Sequence, residues 1–339
     1  MVMAHTLVQK VHERWRDEPI EMVAPPATAA IARRMAEVSE VHELSASHGE
    51  FGFGKRVRLG RALGAQSFSR SYVLPNSWKS ALVPFFARIP DRVGWLGEAR
   101  YLLLNNHAPL DADKWPLMIE RFMGLLDFDA MPPKPYPLPR LRVDSAQQEK
   151  LLDSYQLLQG AGVEAGRAIA LCPGAEFGQA KRWPADHFVE VAQRSVRDGC
   201  EVWLLGGPAD KEVCGYIAGQ LQADSGLVKN LAGRTSLTDV VDLLDAATAV
   251  VCNDSGLMHV ACAVDTPVVA LYGSTSPGFT PPLHAQAQAL TLLDLDGGSK
   301  KLDCQPCFQR TCRYEHGNCL ANLSPNYVLK QLVLSLIHI

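Results

Sequence analysis

No stretch of the chain reaches the roughly 18 consecutive apolar residues that a membrane-spanning helix requires, so none is expected among its 339 residues. The first residues also lack the basic-then-apolar order of a secretion signal. G-x-G-x-x-G does not occur, which weakens a reading as a nicotinamide-dependent dehydrogenase. There is no internal repeat, and no nucleic-acid-binding motif or aromatic-rich basic sheet pattern accompanies the charge, so nucleic acid is not an expected partner. Net charge is small as well: 33 basic against 36 acidic residues give −3.

What is present is a large apolar fraction, 47%, in a chain long enough for two domains. The small net charge hides an asymmetry. Phe51 to Arg100 holds nine basic and two acidic residues, +7, which leaves −10 for the rest. Strands are expected at Ile20–Val23, Arg70–Leu74 and Val93–Trp95, alternating with helices. Met131 to Pro139 then places five prolines in nine residues, the mark of a linker. After it, strands near Ala168–Cys172, Val202–Leu205, Leu227–Asn230, Ala249–Cys252 and Val268–Tyr272 alternate with helices. That order predicts α/β architecture with a doubly wound parallel sheet.

Two segments in the second half carry anion-binding chemistry. VCNDSGLMHVACAVDTPVVALYG, from Val251, reads as a strand end, a polar turn, a small-residue helix and a second strand. Asp254, Ser255 and Gly256 then open a helix at the carboxyl edge of the sheet, where free N–H groups and the helix dipole favour a phosphate. The plainer reading makes Asp254 or Ser255 an N-cap and no more. His259, one turn beyond Ser255, faces the same edge. The second segment runs from the strand at Ala168–Cys172 into PGAEFGQAKRWPADHF, whose glycines permit close approach and whose Lys181 supplies a cation. Pro184 marks the next helix start.

VCNDSGLMHVA and CPGAEFGQAKRWP together resemble the donor-binding domain of the bacterial ADP-heptose:lipopolysaccharide heptosyltransferases. YVLPNSWKSALVPFFARIPDRVGWLGEARYLLLN, from Tyr72, and DKWPLMIERF, from Asp113, are similar to the same family, and the likeness runs from about Met1 to about Leu334. It implies a GT-B fold of two Rossmann-like parallel-sheet domains facing a cleft. The expected divisions are an acceptor-binding domain over 1–157, a nucleotide-sugar domain over 158–323, and a C-terminal helix over 324–339 returning to the first domain. It also implies an inverting transferase of heptose from ADP-heptose to the lipid-anchored lipopolysaccharide inner core. The work would be done in the cytoplasm, in peripheral contact with the inner membrane. Implied donor contacts are Ala175, Glu176, Lys181, Gly206, Asp210, Thr235, Asp254, Ser255, Gly256 and His259. Asp210 and Thr235 would face the nucleoside. The basic cluster Lys55, Arg56, Arg58 and Arg61, with Asn76 and Lys79, would receive the anionic acceptor. With Lys181 and a helix N-terminus to neutralise the leaving diphosphate, no cofactor or divalent ion is required.

Three features depart from that pattern. Met1 to Trp15 has helical spacing with no strand before it, whereas family members place a strand and a Gly-Asp turn just ahead of the residues matching Met1-Val2-Met3. That aspartate is the family's proposed general base, so no catalytic base is expected within this chain and transfer by it is expected to be slow or absent. The ending Ser335-Leu336-Ile337-His338-Ile339 is more apolar than expected. Cys304, Cys307, Cys312 and Cys319 are grouped; the alternatives are a structural zinc site, with His316 as spare ligand, or free or redox-active thiols in a reducing compartment. Asp111/Asp113, Asp127/Asp129 and Asp294/Asp296 match the short D-x-D pattern of metal-dependent transferases, as expected by chance in an acidic chain. A nucleotide-binding protein without transferase activity and a related transferase with another donor sugar stay open. ADP release with and without acceptor tests the first, and protection by different nucleotide sugars the second.

Overall fold

The computed structural model describes residues 1–46, 50–159, 167–221, 226–293, 295 and 302–336. Asp294 and Asp296, and the last three residues, lie outside them. Contacts divide the chain into two units, one up to Pro137 and one from Leu138, apart from Val2, which groups with the second. The division falls inside the proline-rich stretch, ahead of the boundary expected at 157.

The first unit contains α1 (His5–Arg14), β1 (Ile20–Ala24), α2 (Pro26–Ala32), β2 (Val38–Glu43), α3 (Phe53–Leu63), β3 (Arg70–Tyr72), α4 (Leu82–Phe86), β4 (Asp91–Leu96), β5 (Asn106–Pro109) and α5 (Met118–Met123). Its strands form two parallel sheets, β1-β2 and β3-β4-β5. Leu7 of α1 packs with Val93, Trp95, Trp115 and Leu125, which covers one face of the second sheet. β2 and β5 escape the hydrophobic pattern because VSEVHE and NHAP hold few apolar residues and are largely exposed. They are strands through ladder pairing.

The second unit contains α6 (Ser145–Ser154), β6 (Ala168–Cys172), α7 (Ala185–Arg197), β7 (Glu201–Leu204), α8 (Lys211–Gln220), β8 (Val228–Asn230), α9 (Leu237–Ala246), β9 (Ala249–Asn253), α10 (Gly256–Ala263), β10 (Val268–Leu271), β11 (Gln288–Leu290), α11 (Asn318–Ala321) and α12 (Pro325–Leu336). Six strands pair in parallel in the order β11-β10-β9-β6-β7-β8. β6, β7, β9 and β10 are buried at every residue, as near-continuous apolar runs in a two-faced sheet must be. Alternate strand residues serve the two faces: Ile169, Leu171, Val251 and Leu271 join Phe188 and Ala192 of α7, Ile217 of α8 and Val328 and Leu332 of α12 in one core. α10 covers β9 and β10, and α9 packs on α6 and α10. The packing of α6 on α9 carries the division of the chain forward of residue 157. α12 covers Pro325–Leu336 of the span expected at 324–339, and its buried Val328 and Leu332 serve the core of the second unit. α9 opens with a capping box in which the Ser236 N–H donates to Asp239 (2.8 Å) and the Asp239 N–H donates to Ser236 Oγ (3.2 Å).

The chain order reverses between β6 and β9. A crevice outside the carboxyl ends of two such strands is where open parallel sheets bind ligands.

Candidate functional site

The loops after β6 and β9 are bound to each other by one side chain. Asn253, fully buried at the end of β9, donates from Nδ2 to the Pro173 carbonyl (2.8 Å) and accepts the Trp183 N–H on Oδ1 (3.0 Å). It therefore holds both ends of the 173–183 loop. Trp183 is buried and donates from its indole to the Leu323 carbonyl (2.9 Å), which anchors the loop's far end. Sequence reasoning passed over Asn253. The signal was available, because an asparagine ending a fully apolar strand needs partners for its amide.

Inside this frame, Lys181 reaches Asp254. Its ammonium lies 2.7 Å from the carboxylate, and both side chains are largely buried. Asp254 also accepts from Thr275 Oγ1 (2.7 Å) and Thr280 Oγ1 (3.4 Å), two residues the sequence did not single out. The carboxylate is thus an anchor for a cation and two hydroxyls. The plain cap reading fails for both turn residues: Ser255 occupies the N-cap position of α10, yet its side chain makes no capping bond. The space a Cβ on Gly256 would enter is open. A two-turn helix thus begins with unclaimed N–H groups, an unengaged hydroxyl and Lys181 close by, the elements an anionic oxygen needs.

The neighbouring loop is packed around Asp210. A Cβ on Gly174 would collide with its carboxylate, and one on Gly206 would lie 2.7 Å from its Cβ. The carboxylate accepts from the Gly207 N–H (3.0 Å) and lies 3.8 Å from Arg182 Nη2. Both glycines are therefore required for close approach, and Asp210 ties the loops after β6 and β7 together. Ala175 is buried and Glu176 exposed. Thr235 Oγ1 and His259 Nδ1 are buried atoms without a hydrogen-bond partner. Burial holds the His259 imidazole down to about 4 against the pull of Asp254, so it is neutral at pH 7. A neutral imidazole can offer a hydrogen bond to a phosphate oxygen, not a charge.

In the first unit the basic candidates separate. Lys55, Arg58 and Arg61 are exposed on α3, and Lys55 pairs with Glu50 (3.0 Å). Arg56 faces inward, buried, and donates from Nε to the Phe51 carbonyl (2.9 Å). One of its five donors is thus committed to its own loop, and burial leaves Arg56 less open to an acceptor than its neighbours on α3. Lys79 is half-buried and donates to the Glu50 carbonyl (3.3 Å). Asn76 accepts a long bond from Arg100 (3.4 Å). Arg100 itself is fully buried and donates to the Pro75 carbonyl (2.6 Å), the Trp95 carbonyl (2.7 Å) and Ser80 Oγ (2.9 Å), so it organises the loop carrying Asn76 and Lys79. Asp111 and Asp127 accept from the N–H groups two and three residues on, at 2.9–3.2 Å. These are turn-forming aspartates.

Residues 56–317 match the family model described as glycosyltransferase family 9 (heptosyltransferase). The chain is 39% identical over 339 residues to a lipopolysaccharide heptosyltransferase 2 of Salmonella typhimurium, covering 98% of this chain and 94% of that one. It is 42% identical over 301 residues to a lipooligosaccharide heptosyltransferase 2 of Haemophilus influenzae, covering 87% and 86%. Among solved structures it is similar to the ADP-heptose lps heptosyltransferase II of E. coli, with a TM-score of 0.85, 37% identity, and coverage of 100% and 95%.

Proposed function

Because the chain belongs to glycosyltransferase family 9, the heptosyltransferases, we propose that the loops at the β6/β9 switch bind the diphosphate of ADP-heptose. The protein is a glycosyltransferase of GT-B type that transfers heptose from a nucleotide-sugar donor to the lipopolysaccharide inner core. The observation that carries the site is the Lys181–Asp254 pair beside the free N-terminus of α10.

The residues divide the work as follows. Cleavage of the donor's anomeric bond leaves negative charge on the diphosphate. Lys181, the Ser255 hydroxyl and the first N–H groups of α10 stabilise that charge as it develops, which favours departure of the leaving group. The Ala175–Glu176 backbone closes over the same group. His259 adds a neutral hydrogen bond, and the unpartnered hydroxyl of Thr235 faces the nucleoside. Asp210 and Gly206 shape the wall of the site. Attack by the acceptor hydroxyl from the opposite side of the sugar forms the new glycosidic bond as the bond to the diphosphate breaks, inverts the anomeric centre and releases the hydroxyl proton to solvent.

The exposed cations Lys55, Arg58 and Arg61 meet the phosphates and acidic sugars of the acceptor. Beside them, Phe51, Phe53, Trp78 and Phe85 are 38–50% exposed. Phe51 stacks on both Phe53 and Trp78 at 6.0 Å. Exposed aromatics flanked by cations suit an anionic membrane surface, and this reading places the protein on the cytoplasmic face of the inner membrane where the lipid-anchored acceptor lies. No helix among the described residues is long and apolar enough to cross it.

The test is ADP release from ADP-heptose with and without a heptose-bearing core acceptor. Release that requires the acceptor, however slow, supports the reading; release equal with and without it sinks it. Cosedimentation with phosphatidylglycerol vesicles, lost in Phe51→Ser/Trp78→Ser, tests the membrane contact separately.

A further inference from the structure

The donor site built from the β6/β9 loops is short of positive charge. The Lys181 ammonium is matched by the Asp254 carboxylate and Arg182 stands against Asp210, so the two cations of the loop after β6 bring no net charge. His259 is neutral, and the N-terminus of α10 supplies the equivalent of about half a positive charge. A sugar diphosphate carries a negative charge on each phosphorus, and Glu176, exposed in the same loop, adds another. Binding a dianion here calls for a further cation.

The chain brings one in from beyond β11, in a segment pinned at three points. Gln305, buried, donates from Nε2 to Thr291 Oγ1 (3.0 Å). The Phe308 N–H donates to the Ser274 carbonyl (2.7 Å), past the end of β10. The Arg310 carbonyl accepts the Ala180 N–H (3.0 Å), and Gly178 lies so close that a Cβ there would strike the same carbonyl. These contacts use the backbone of Arg310 and leave its side chain exposed. Its guanidinium lies 5.3 Å from the centre of the Phe177 ring, and the Lys181 ammonium lies 4.9 Å from the same centre. Aromatic rings attract cations, and here one ring gathers two. Among the described residues Arg310 makes no ion pair, whereas Lys181 and Arg182 each have one.

We propose that Arg310 is a second phosphate-binding cation of the donor site, sharing the diphosphate with Lys181 beside Phe177. That role rests on the reading of the β6/β9 loops as a diphosphate site and supplies the charge they lack. A guanidinium offers two parallel N–H donors to two oxygens, which suits a phosphoryl group better than a point charge does. Because the Arg310 backbone is fixed to Ala180 and its guanidinium rests near Phe177, little freedom is lost when the anion arrives. The Lys181–Asp254 pair then orients the anion, and Arg310 supplies the net charge that holds it. As the anomeric bond breaks, charge builds on the same oxygens, and Arg310 stabilises the leaving group with no proton transferred.

The experiment is titration calorimetry of the full chain with ADP and with adenosine, with a chelator present and no divalent ions, on Arg310→Gln, Arg310→Lys and Lys181→Ala. Arg310→Gln keeps the backbone contacts and should weaken ADP binding by about tenfold or more, the worth of a charge-assisted contact. Adenosine affinity and melting temperature should be unchanged, and the loss should shrink as salt is raised. Arg310→Lys, which keeps the charge, should recover part of the affinity. Wild-type ADP affinity in Arg310→Gln while Lys181→Ala weakens it overturns the role of Arg310 and leaves the diphosphate site standing. Unchanged ADP affinity in both variants sinks the diphosphate site itself. Adenosine weakened as much as ADP, or no recovery with lysine, also overturns the proposal, since the side chain would then be shaping the loop and not supplying charge.

Discussion

Lys181 and Asp254 are 73 residues apart in sequence and meet at 2.7 Å, each from the loop after a different strand of one sheet. The pair holds the ammonium beside the residue that precedes the N-cap of α10. A cation held in this way loses little conformational freedom when a phosphate arrives.

Replacing that cation therefore tests the donor site most directly. Lys181→Ala is expected to weaken ADP binding by roughly 1.5–3 kcal/mol, the worth of a charge-assisted contact. Titration calorimetry checks it, and unchanged affinity would remove Lys181 from the site.

Asp254→Asn separates holding from binding. The amide keeps the shape but leaves Lys181, Thr275 and Thr280 without their carboxylate. Stability should fall by about 2 kcal/mol, less than the 3–5 of a fully buried pair, because the lysine keeps some solvent. ADP affinity should fall as well, since the lysine is no longer aimed. Denaturant unfolding with and without ADP measures both; equal stability would mean the pair is incidental.

The glycine beside Asp210 makes a paired prediction. Gly174→Ala drives a methyl group into the Asp210 carboxylate, at an expected cost of about 1–3 kcal/mol. Adding Asp210→Ala should return most of that loss. If the single variant melts with the wild type, the two loops are not in contact.

His259 sets a pH signature. Its ordinary value near 6.5 is held down to about 4 in the folded protein, so the unfolded chain takes up the proton first. Stability should be level in this respect above pH 6.5 and decline between 6.5 and about 4. His259→Gln should flatten that decline. Denaturant midpoints across the range that are the same in both proteins would assign the titration to another group.

In the first unit, charge and burial predict opposite phenotypes on one helix. Arg58→Glu/Arg61→Glu should raise the acceptor KM and its salt sensitivity while ADP binding is unchanged. Arg56→Ala should instead lower the melting temperature, because its guanidinium holds the Phe51 carbonyl. An unaltered acceptor KM in the double variant would make the exposed pair ordinary surface charge.

The second unit was largely legible in the sequence because its central strands are buried on both faces and so write themselves as unbroken apolar runs. AIALC and AVVCN could hardly be anything else between glycine turns. β2 was hidden because VSEVHE is half-exposed and its strand character comes from pairing with β1. Lys181, Ser255 and Gly256 could be found from local chemistry, a cation and a helix start. Thr275 and Thr280 could not be placed, since their roles exist only once they are folded back onto Asp254; Asn253 was visible as an amide in need of partners, but which partners depends on the pairing of β6 with β9. The inward turn of Arg56 was not legible for a related reason: spacing shows that a residue is on a helix, and neighbours decide which way a long side chain turns.

Asn253 and Pro173 are 80 residues apart, and the hydrogen bond between them has a kinetic consequence. The loop they close cannot form until β6 and β9 pair, and pairing over such a distance must first overcome the entropy of a long chain. Partly folded chains, in which β6-β7 or β9-β10 has formed alone, have no place for a nucleotide. A ligand that recognises only the finished crevice leaves the climb to the folding transition state unchanged and deepens the well beyond it. Nucleotide should thus lengthen the lifetime of the folded protein without hastening its formation.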